Sequence, residues 1–507
     1  MKMRIRKLCV VFILAASCFA SDVLLKNVLV YDGSGKKPVR SDVRIQGDRI
    51  AAVAKNLTPK SGETVRDEHG LALAPGFIDM HSHHDGGIFK DLDAASVTRQ
   101  GVTTVFVGQD GDSNFPLGDF FSHLEKTPAA INFASMVGHA TLRRQVMGKD
   151  LYRPSTPEEL TKMKDLLARE MQAGAFGLSS GLEYEDGHFA TTEEMIELSK
   201  VAATSRGFYI SHVRDEGNGV FDSYEEITRI GREGRLPVEI THIKLASPQV
   251  WHMARTRMPQ VFAKAKKQGV DLKADVYPYT YWHSTLRVLV TNRDFYNPEK
   301  VAKGIADNGG ADNLMIPRYV PEPAMAGKTL AQIAAVWGVT PVDAYIRMIK
   351  ATSSETEGGE EQEEVIGTSM MEDDVRWFIA HPRVMFSSDG ALHGAHPRGA
   401  GAFPRVLGRY VREQHVLPLE TAIHKMTMMP AAQLDLKDRG RIAPGYVADL
   451  VVFDPATVID ESTIEHPEAA PKGIPDVMVA GEWVVSDGKV TGAHSGHVLR
   501  RASSATL

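Results

Sequence analysis

The amino-acid sequence predicts an α/β protein: a TIM-like (β/α)8 barrel with a small β-sandwich domain formed from both chain ends. Three observations predict this fold. Short apolar segments alternate with helical stretches between residues 71 and 435. Strand-and-turn patterns lie near both chain ends, in residues 22–66 and 449–485. No G-x-G-x-x-G motif follows a strand, which argues against an open, doubly wound sheet.

The two terminal segments have the residue pattern of β-hairpins. Near the N-terminus, apolar runs flank Gly47-Asp48, and near the C-terminus similar runs flank Gly481. Chain ends often lie close together in compact proteins, so the two segments can complete one unit. We therefore expect residues 21–70 and 436–507 to form the small β domain, and residues 71–435 to form the barrel between them.

Eight apolar segments of the central region are candidate barrel strands. Repeated strand–helix units imply parallel strands, and eight such units over this length are typical of a closed barrel. The segments are residues 73–78, 103–107, 132–136, 177–179, 209–212, 238–242, 272–276 and 384–387. The stretch 355–364 is acidic and interrupted by glycine, so we expect it to be a solvated loop.

Charge and cysteine usage indicate an exported protein that does not bind nucleic acid. The 507-residue chain has 58 Lys+Arg and 64 Asp+Glu, without the basic excess of nucleic-acid-binding proteins. Residues 1–20 join a basic start, an apolar run and small residues, which is the pattern of a secretory signal peptide. This run is too short for a comfortable membrane span, and no later run reaches spanning length. The only two cysteines, Cys9 and Cys18, lie in this leader. The alternative is a lipoprotein leader with a lipid anchor at Cys18.

Polar residues follow several of the predicted strands. In barrels of this kind the chemistry gathers at the C-terminal ends of the strands. His81 and His83 follow the first strand and, being two residues apart, can point to one face. His212 and His242 end two later strands, and Asp389 follows the last. Four imidazoles and a carboxylate suit zinc with a bound water, so the pattern predicts a one- or two-metal hydrolase with a small-molecule substrate.

These residues, together with long stretches around them, resemble the amidohydrolase superfamily. The closer resemblance is to its D-aminoacylase branch, the N-acyl-D-amino-acid deacylases. It is carried by GAFGLSSGLEY at 174–184, SHVRDE at 211–216 and DVYPY at 275–279. Further stretches match at 76–85, 135–143, 241–244, 396–407 and 439–454. The resemblance implies hydrolysis of an N-acyl group to give a carboxylate and a free D-amino acid.

The resemblance also implies roles for individual residues. His81 and His83 would hold one metal, with Asp389 as metal ligand and general base, and His212 and His242 would hold a second, tighter one. A further set would contact the substrate or line its pocket. Its members are Lys244, Tyr277, Tyr279 and Arg398 for the substrate carboxylate, with Tyr184 and His139 lining the pocket or stabilising the oxyanion.

The loop after the second strand departs from the family pattern. The branch has a bridging cysteine there, whereas this chain has Asp110 within Gly108-Gln109-Asp110-Gly111. A carboxylate has two oxygens and can bridge two zinc ions, so Asp110 is a candidate metal ligand. Two alternatives remain at this level. One is a peptidase or cyclic-amide hydrolase on the same scaffold, and the other is a non-catalytic envelope binding protein.

Overall fold

The computed structural model describes residues 22–290, 293–352 and 362–501. The predicted signal peptide and Cys18 lie outside these residues. Both chain ends contribute to one nine-stranded sheet, joined where Ala72–Pro75 pairs antiparallel with Leu450–Phe453. The other strands are Val23–Val30, Val39–Gln46, Arg49–Ala54, Thr64–Asp67, Asp476–Val479, Glu482–Ser486 and Lys489–Val490.

This terminal sheet curls around a core of its own. Val43 and Ile45 from its N-terminal half pack in one cluster with Leu450 and Met478 from its C-terminal half. The turn between the second and third strands also reaches across, since the Asp48 carbonyl accepts a hydrogen bond of 2.8 Å from the backbone N–H of Ala448. The two layers of the predicted sandwich are therefore two halves of one continuous sheet.

The central region forms the predicted (β/α)8 barrel. Its strands are parallel and pair in chain order, and the first and last are linked by a parallel bridge between Ser82 and Gly390. The third strand is interrupted at Met136. The eight strands are Phe77–Asp79, Val102–Val107, Asn132–Ser135 with Val137–Gly138, Gly177–Gly181, Phe208–His212, Val238–Ile240, Leu272–Val276 and Val384–Phe386.

Helices surround the barrel and cover its strands. In the described part of the chain, no helix is long and apolar enough to cross a membrane. The principal helices are Leu117–Lys126, His139–Met147, Pro157–Gln172, Thr192–Thr204, Val220–Gly234, Ala254–Lys267, Glu372–Ala380, Arg398–Arg405, Leu419–Met426 and Met428–Gln433, with a π-helix at Val406–Glu413. Shorter helices are Ala95–Thr98 and Glu185–His188.

Gly76 divides the predicted first strand between the two sheets. Its backbone N–H donates to Asp449 of the terminal sheet, whereas the N–H of Phe77 donates to Gly101 beside the barrel. A Cβ at Gly76 would lie 2.2 Å from the side chain of Thr103, so only glycine fits this close approach. The chain therefore passes from the terminal sheet into the barrel at this residue.

A small subdomain between the seventh and eighth strands was not expected from the sequence. Its four strands, Tyr281–Ser284, Leu314–Ile316, Lys328–Thr329 and Val365–Thr368, form a separate sheet. Its helices Pro298–Asp307, Leu330–Trp337 and Pro341–Thr352 cover a core of their own. Most of the predicted solvated loop at 355–364 lies outside the described residues. Its end is not solvated, because Glu363 is buried and lies 2.6 Å from Arg287.

Candidate metal centre

Asp79 links the first barrel strand to the last through hydrogen bonds at the C-terminal end of the barrel. Its buried carboxylate accepts hydrogen bonds from the N–H and the hydroxyl of Ser388, at 2.9 and 2.5 Å. The backbone N–H of Asp389 in turn donates to the carbonyl of His81 at 2.8 Å. Burial raises the pKa of Asp79 to about 7. This closure brings Asp389 next to His81 and His83.

Four side chains converge at the C-terminal end of the barrel strands. His81 Nε2 and His83 Nε2 each lie 3.4 Å from Asp110 Oδ2 and 3.4 Å from Asp389 Oδ1. A tetrahedral ion with bonds of about 2.1 Å, the Zn–N and Zn–O length, has donors about 3.4 Å apart. These four distances match that spacing.

A second cluster lies on the other side of Asp110. Asp110 Oδ1 lies 3.4 Å from His242 Nε2, which lies 3.1 Å from His212 Nδ1. One carboxylate oxygen thus faces His81 and His83, and the other faces the second histidine pair. Burial alone would raise the pKa of Asp110, but His81 and His242 hold the pKa well below its usual range. This geometry is suited to a carboxylate that bridges two cations.

Three of these residues have a left-handed backbone. The φ angles are 53° at Asp110, 32° at His242 and 49° at Asp389. Such conformations cost about 1–3 kcal/mol each and persist only when the surroundings impose them. The surroundings impose this conformation at His242, because its backbone N–H donates to the buried carboxylate of Asp275 at 2.9 Å. The fold maintains strained backbone at the positions that present these donors.

Two glutamates that the sequence analysis did not select lie behind the second histidine pair. Glu183 Oε2 lies 2.9 Å from His212 Nε2, and Glu216 Oε1 lies 3.2 Å from His242 Nδ1. His212 Nε2 thus faces a carboxylate, whereas His242 Nδ1 faces both Glu216 and the nearer ammonium of Lys244, whose Nζ lies 2.7 Å away. The sequence offered one signal for each glutamate. Glu183 comes just after the fourth strand, and Glu216 comes four residues after His212.

Two predicted substrate-binding cations lie beside the clusters. Lys244 Nζ lies 2.9 Å from both oxygens of Glu216, and an Arg398 nitrogen lies 2.5 Å from Asp389 Oδ2. Burial would lower the pKa of Lys244, but Glu216 raises it above its usual value. Both cations also face the ring of Tyr277, whose buried hydroxyl has no hydrogen-bond partner among the described residues.

The remaining predicted residues lie at different places. The ring of Tyr184 lies 4.3 Å from that of His212 and borders the cavity above the clusters. His139 does not reach this cavity, because its Nε2 pairs at 2.8 Å with the buried carboxylate of Glu194. Tyr279 is also behind the lining, with its hydroxyl 3.4 Å from the Pro397 carbonyl. The structure therefore places these two side chains in packing positions.

A cavity of about 990 Å³ extends from the clusters toward the small subdomain. The barrel wall contributes ionisable side chains, including Glu183, Tyr184 and Lys244. The subdomain contributes apolar side chains, among them Trp282, Val288 and Leu289, together with polar and charged ones such as Lys300. The cavity can therefore accommodate a molecule with a polar group at the clusters and a further part against this mixed surface.

The chemistry of the clustered side chains is suited to zinc. Within the described residues, Asp110 Oδ1 and both ring nitrogens of His81 are buried and have no well-aligned hydrogen-bond partner. Unpaired buried polar atoms cost free energy, and a bound cation would satisfy those that face the clusters. Imidazole nitrogens and carboxylate oxygens are ordinary zinc ligands. The residues present thus fit the ion.

Comparison with known proteins agrees with this chemistry. The chain is 37% identical to the D-aminoacylase of Alcaligenes xylosoxydans xylosoxydans, over 95% of this chain and 98% of that protein. It is 36% identical to the N-acyl-D-glutamate deacylase of the same organism, over 95% and 97%. A solved N-acyl-D-glutamate deacylase from Bordetella bronchiseptica superposes with a TM-score of 0.82 at 34% identity, covering 95% of this chain and 99% of that one. That protein was crystallised with zinc and a phosphonate that mimics the tetrahedral intermediate.

The family assignment follows from both the barrel and the extent of these matches. Residues 64–485 match the sequence model of the amidohydrolase family, a span that covers the whole barrel and part of the terminal sheet. The converging histidines and carboxylates at the C-terminal ends of the barrel strands are consistent with this match. The chain therefore belongs to the amidohydrolase family.

Proposed function

We propose that this protein is a zinc-dependent deacylase of N-acyl-D-amino acids. The observation that carries the proposal is the pair of donor clusters that face the two oxygens of Asp110, with Lys244 and Arg398 beside them. The net reaction adds water across the amide bond and gives a carboxylate and a free D-amino acid. The two similar proteins named above, which act on D-amino-acid derivatives, support this substrate class.

The residues proposed to hold the metals are His81, His83, Asp110, His212, His242 and Asp389. Zinc bound there would polarise the amide carbonyl and make hydroxide available near neutral pH. The negative charge of Asp110 would offset part of the positive charge of the metal ion in each of the two clusters. His81 and His83 keep one side open toward the cavity, since the His83 side chain is 40% exposed.

Asp389 is the proposed general base. Burial alone would raise its pKa, but Arg398 and His242 hold the pKa well below its usual range, so the group is a carboxylate at neutral pH. Asp389 can accept a proton from the attacking water and pass it to the nitrogen of the leaving amine. Arg398, 2.5 Å from its Oδ2, fixes the carboxylate in the cluster.

Lys244 and Arg398 are the proposed partners of the substrate α-carboxylate. Both line the cavity next to the clusters, and a guanidinium binds a carboxylate through two parallel hydrogen bonds. Anchoring the α-carboxylate there would orient the amide toward the base. We also propose that Tyr184, whose ring packs beside that of His212, closes this part of the pocket.

The charges of the cavity favour a neutral side chain on the amino acid. Lys244 and Arg398 are assigned to the α-carboxylate, and every other lysine and arginine of the described lining is paired with a carboxylate of the protein outside the two clusters. The pairs are Arg214–Glu226, Lys300–Asp294 and Lys303–Asp307. A second acidic group on the substrate would have no dedicated partner and would lie near further carboxylates, among them Asp112 and Asp215.

A substrate panel tests this function directly. Zinc-loaded protein is incubated with matched N-acetyl-D- and N-acetyl-L-amino acids, dipeptides and cyclic amides, and the free amine is measured with a fluorogenic reagent. We expect turnover of the N-acetyl-D series and little of the L series. Hydrolysis only of dipeptides or cyclic amides would support the peptidase or cyclic-amide alternative. Absence of turnover throughout, with zinc bound, would support a binding protein.

We also propose that the protein is exported. The basic, apolar and small-residue order of residues 1–20 supports a signal peptide, and the leader cysteine Cys18 is the candidate lipid anchor. N-terminal sequencing after expression in a bacterial host distinguishes the two forms. A start at residue 21 indicates plain cleavage, and a blocked, lipid-modified Cys18 indicates the anchor.

A further inference from the structure

We propose that Glu183 is a positioning residue that fixes the tautomer and orientation of His212, so that His212 Nδ1 binds metal. Nothing in the sequence motifs assigned a role to this glutamate. The inference concerns the metal centre that the proposed function requires, but it depends on metal binding alone and not on any substrate.

The contacts of the imidazole ring define the arrangement. His212 Nδ1 lies 3.1 Å from His242 Nε2, within the second cluster, whereas His212 Nε2 points away and lies 2.9 Å from Glu183 Oε2. A carboxylate only accepts hydrogen bonds, so the proton of the neutral ring is on Nε2. The lone pair of Nδ1 is then directed into the cluster. Metal-bound histidines generally donate their second N–H in this way.

The backbone places Glu183 accurately for this task. Gly181, the last residue of the fourth strand, pairs with His212 in the parallel register. The N–H of Leu182 then donates to the carbonyl of His212 at 3.0 Å. The next residue is Glu183, so two backbone contacts fix the glutamate relative to the histidine it faces. A side chain at Gly181 would collide with the Asp110 carbonyl, 2.3 Å from the added Cβ.

Glu183 and Glu216, the carboxylate near His242, differ in the number of groups that they contact. Glu216 lies 3.2 Å from His242 Nδ1, but both of its oxygens also accept from Lys244. Glu216 is thus shared between a histidine and a cation. The nearer carboxylate to His212 Nε2 is Glu183, since Glu216 is 3.7 Å away. Removing Glu183 therefore leaves Nε2 without a close acceptor among the described residues.

The consequence is measurable as zinc affinity. Loss of such an outer partner typically weakens metal binding about 10- to 100-fold. We expect Glu183→Leu to weaken one zinc equivalent by this factor, measured by competition with a chromophoric chelator on apo protein. Glu183→Gln keeps an oxygen that can accept from Nε2 and should weaken binding less. The matched control is Glu185→Gln, whose carboxylate lies near Arg293 and Arg287 instead of a histidine.

A double-mutant cycle separates positioning from general electrostatics. If Glu183 acts through His212, Glu183→Leu should have no further effect on zinc affinity in a His212→Ala background. Additive losses in the double variant would overturn the proposal, as would equal losses in the Glu185→Gln control. Wild-type affinity in Glu183→Leu would also overturn it. Should the leucine variant fold poorly, Glu183→Ala replaces it, since alanine also removes the acceptor: about tenfold or greater weakening supports the role, and unchanged affinity refutes it.

Discussion

Replacement of Asp110 by asparagine would remove the carboxylate that faces both metal clusters. Its Oδ2 lies 3.4 Å from His81 Nε2 and from His83 Nε2, and its Oδ1 lies 3.4 Å from His242 Nε2. Asparagine has the same shape, but it keeps one oxygen and places an NH₂ group at the other position. An NH₂ group is a hydrogen-bond donor and does not ligate zinc. One cluster therefore loses the ligand that Asp110 supplies to it. The other cluster keeps an oxygen at this position, but that oxygen is neutral instead of anionic.

The size of the effect follows from the number of donors. The second cluster has two histidines and Asp110 Oδ1, so losing that oxygen leaves two of three donors. Even the loss of an outer partner weakens metal binding about 10- to 100-fold, equivalent to roughly 1.4–2.7 kcal/mol, and loss of a direct ligand should exceed this. We expect the zinc content to fall from about two ions per chain to about one after dialysis against a weak chelator.

The assay is elemental analysis combined with chelator competition, with two comparison variants. Asp112→Asn changes a carboxylate of the same loop whose side chain is 72% exposed and pairs with Arg144, so two ions should remain. Asp110→Cys supplies a thiolate, which can also bridge, and should keep two ions. Two tightly held ions in Asp110→Asn would refute the bridging role, as would equal loss in the Asp112→Asn control.

Three further predictions follow from the site and its surroundings. Asp389→Asn should lower kcat at least about 100-fold, the contribution of a positioned base, with the circular dichroism spectrum unchanged; near-normal turnover would exclude its role as base. N-acetyl-D-leucine should exceed N-acetyl-D-glutamate in kcat/KM by about tenfold or more, because the lining cations other than Lys244 and Arg398 are paired away from the α-carboxylate site, and a preference for glutamate would contradict that inference. Arg143 and His139 favour the ionised form of Glu194 and hold its pKa below the usual value despite burial. Because its pKa is lower in the folded state, Glu194 stabilises the protein above pH ~4.5, and this stability is lost as the pH falls further. Glu194→Gln should therefore unfold at a lower temperature at pH 7 and show a weaker dependence on pH below 4.5 in thermal melts. Equal melting profiles would refute this role.

The barrel and the convergence of its candidate metal ligands could be predicted because each has a local signature. Most barrel strands are short, largely apolar runs, and His81, His83, His212, His242 and Asp389 directly follow or end such runs. Parallel strands in a closed barrel bring these ends together whatever the helices between them contain. The sequence order was therefore sufficient to anticipate which side chains the structure brings into contact.

Other features depend on contacts that sequence order does not encode. Glu183 is one of many acidic residues in the chain, and only the pairing of the fourth and fifth strands places it behind His212. His139 also follows an apolar strand, yet the Glu194 carboxylate from a neighbouring helix holds its ring away from the cavity. The small subdomain was missed because its strands have only two to four residues and its helices resemble those of a barrel unit.

The oxygen donors of Asp110 have a consequence for durability as well as for geometry. No cysteine occurs among the described residues, so peroxide and disulfide-forming oxidants have no thiolate to attack at this centre. Hard oxygen donors also bind soft ions such as Cu(I) less well than sulfur does. A centre built from nitrogen and oxygen donors alone would therefore keep its metals under oxidising conditions that destroy a thiolate ligand.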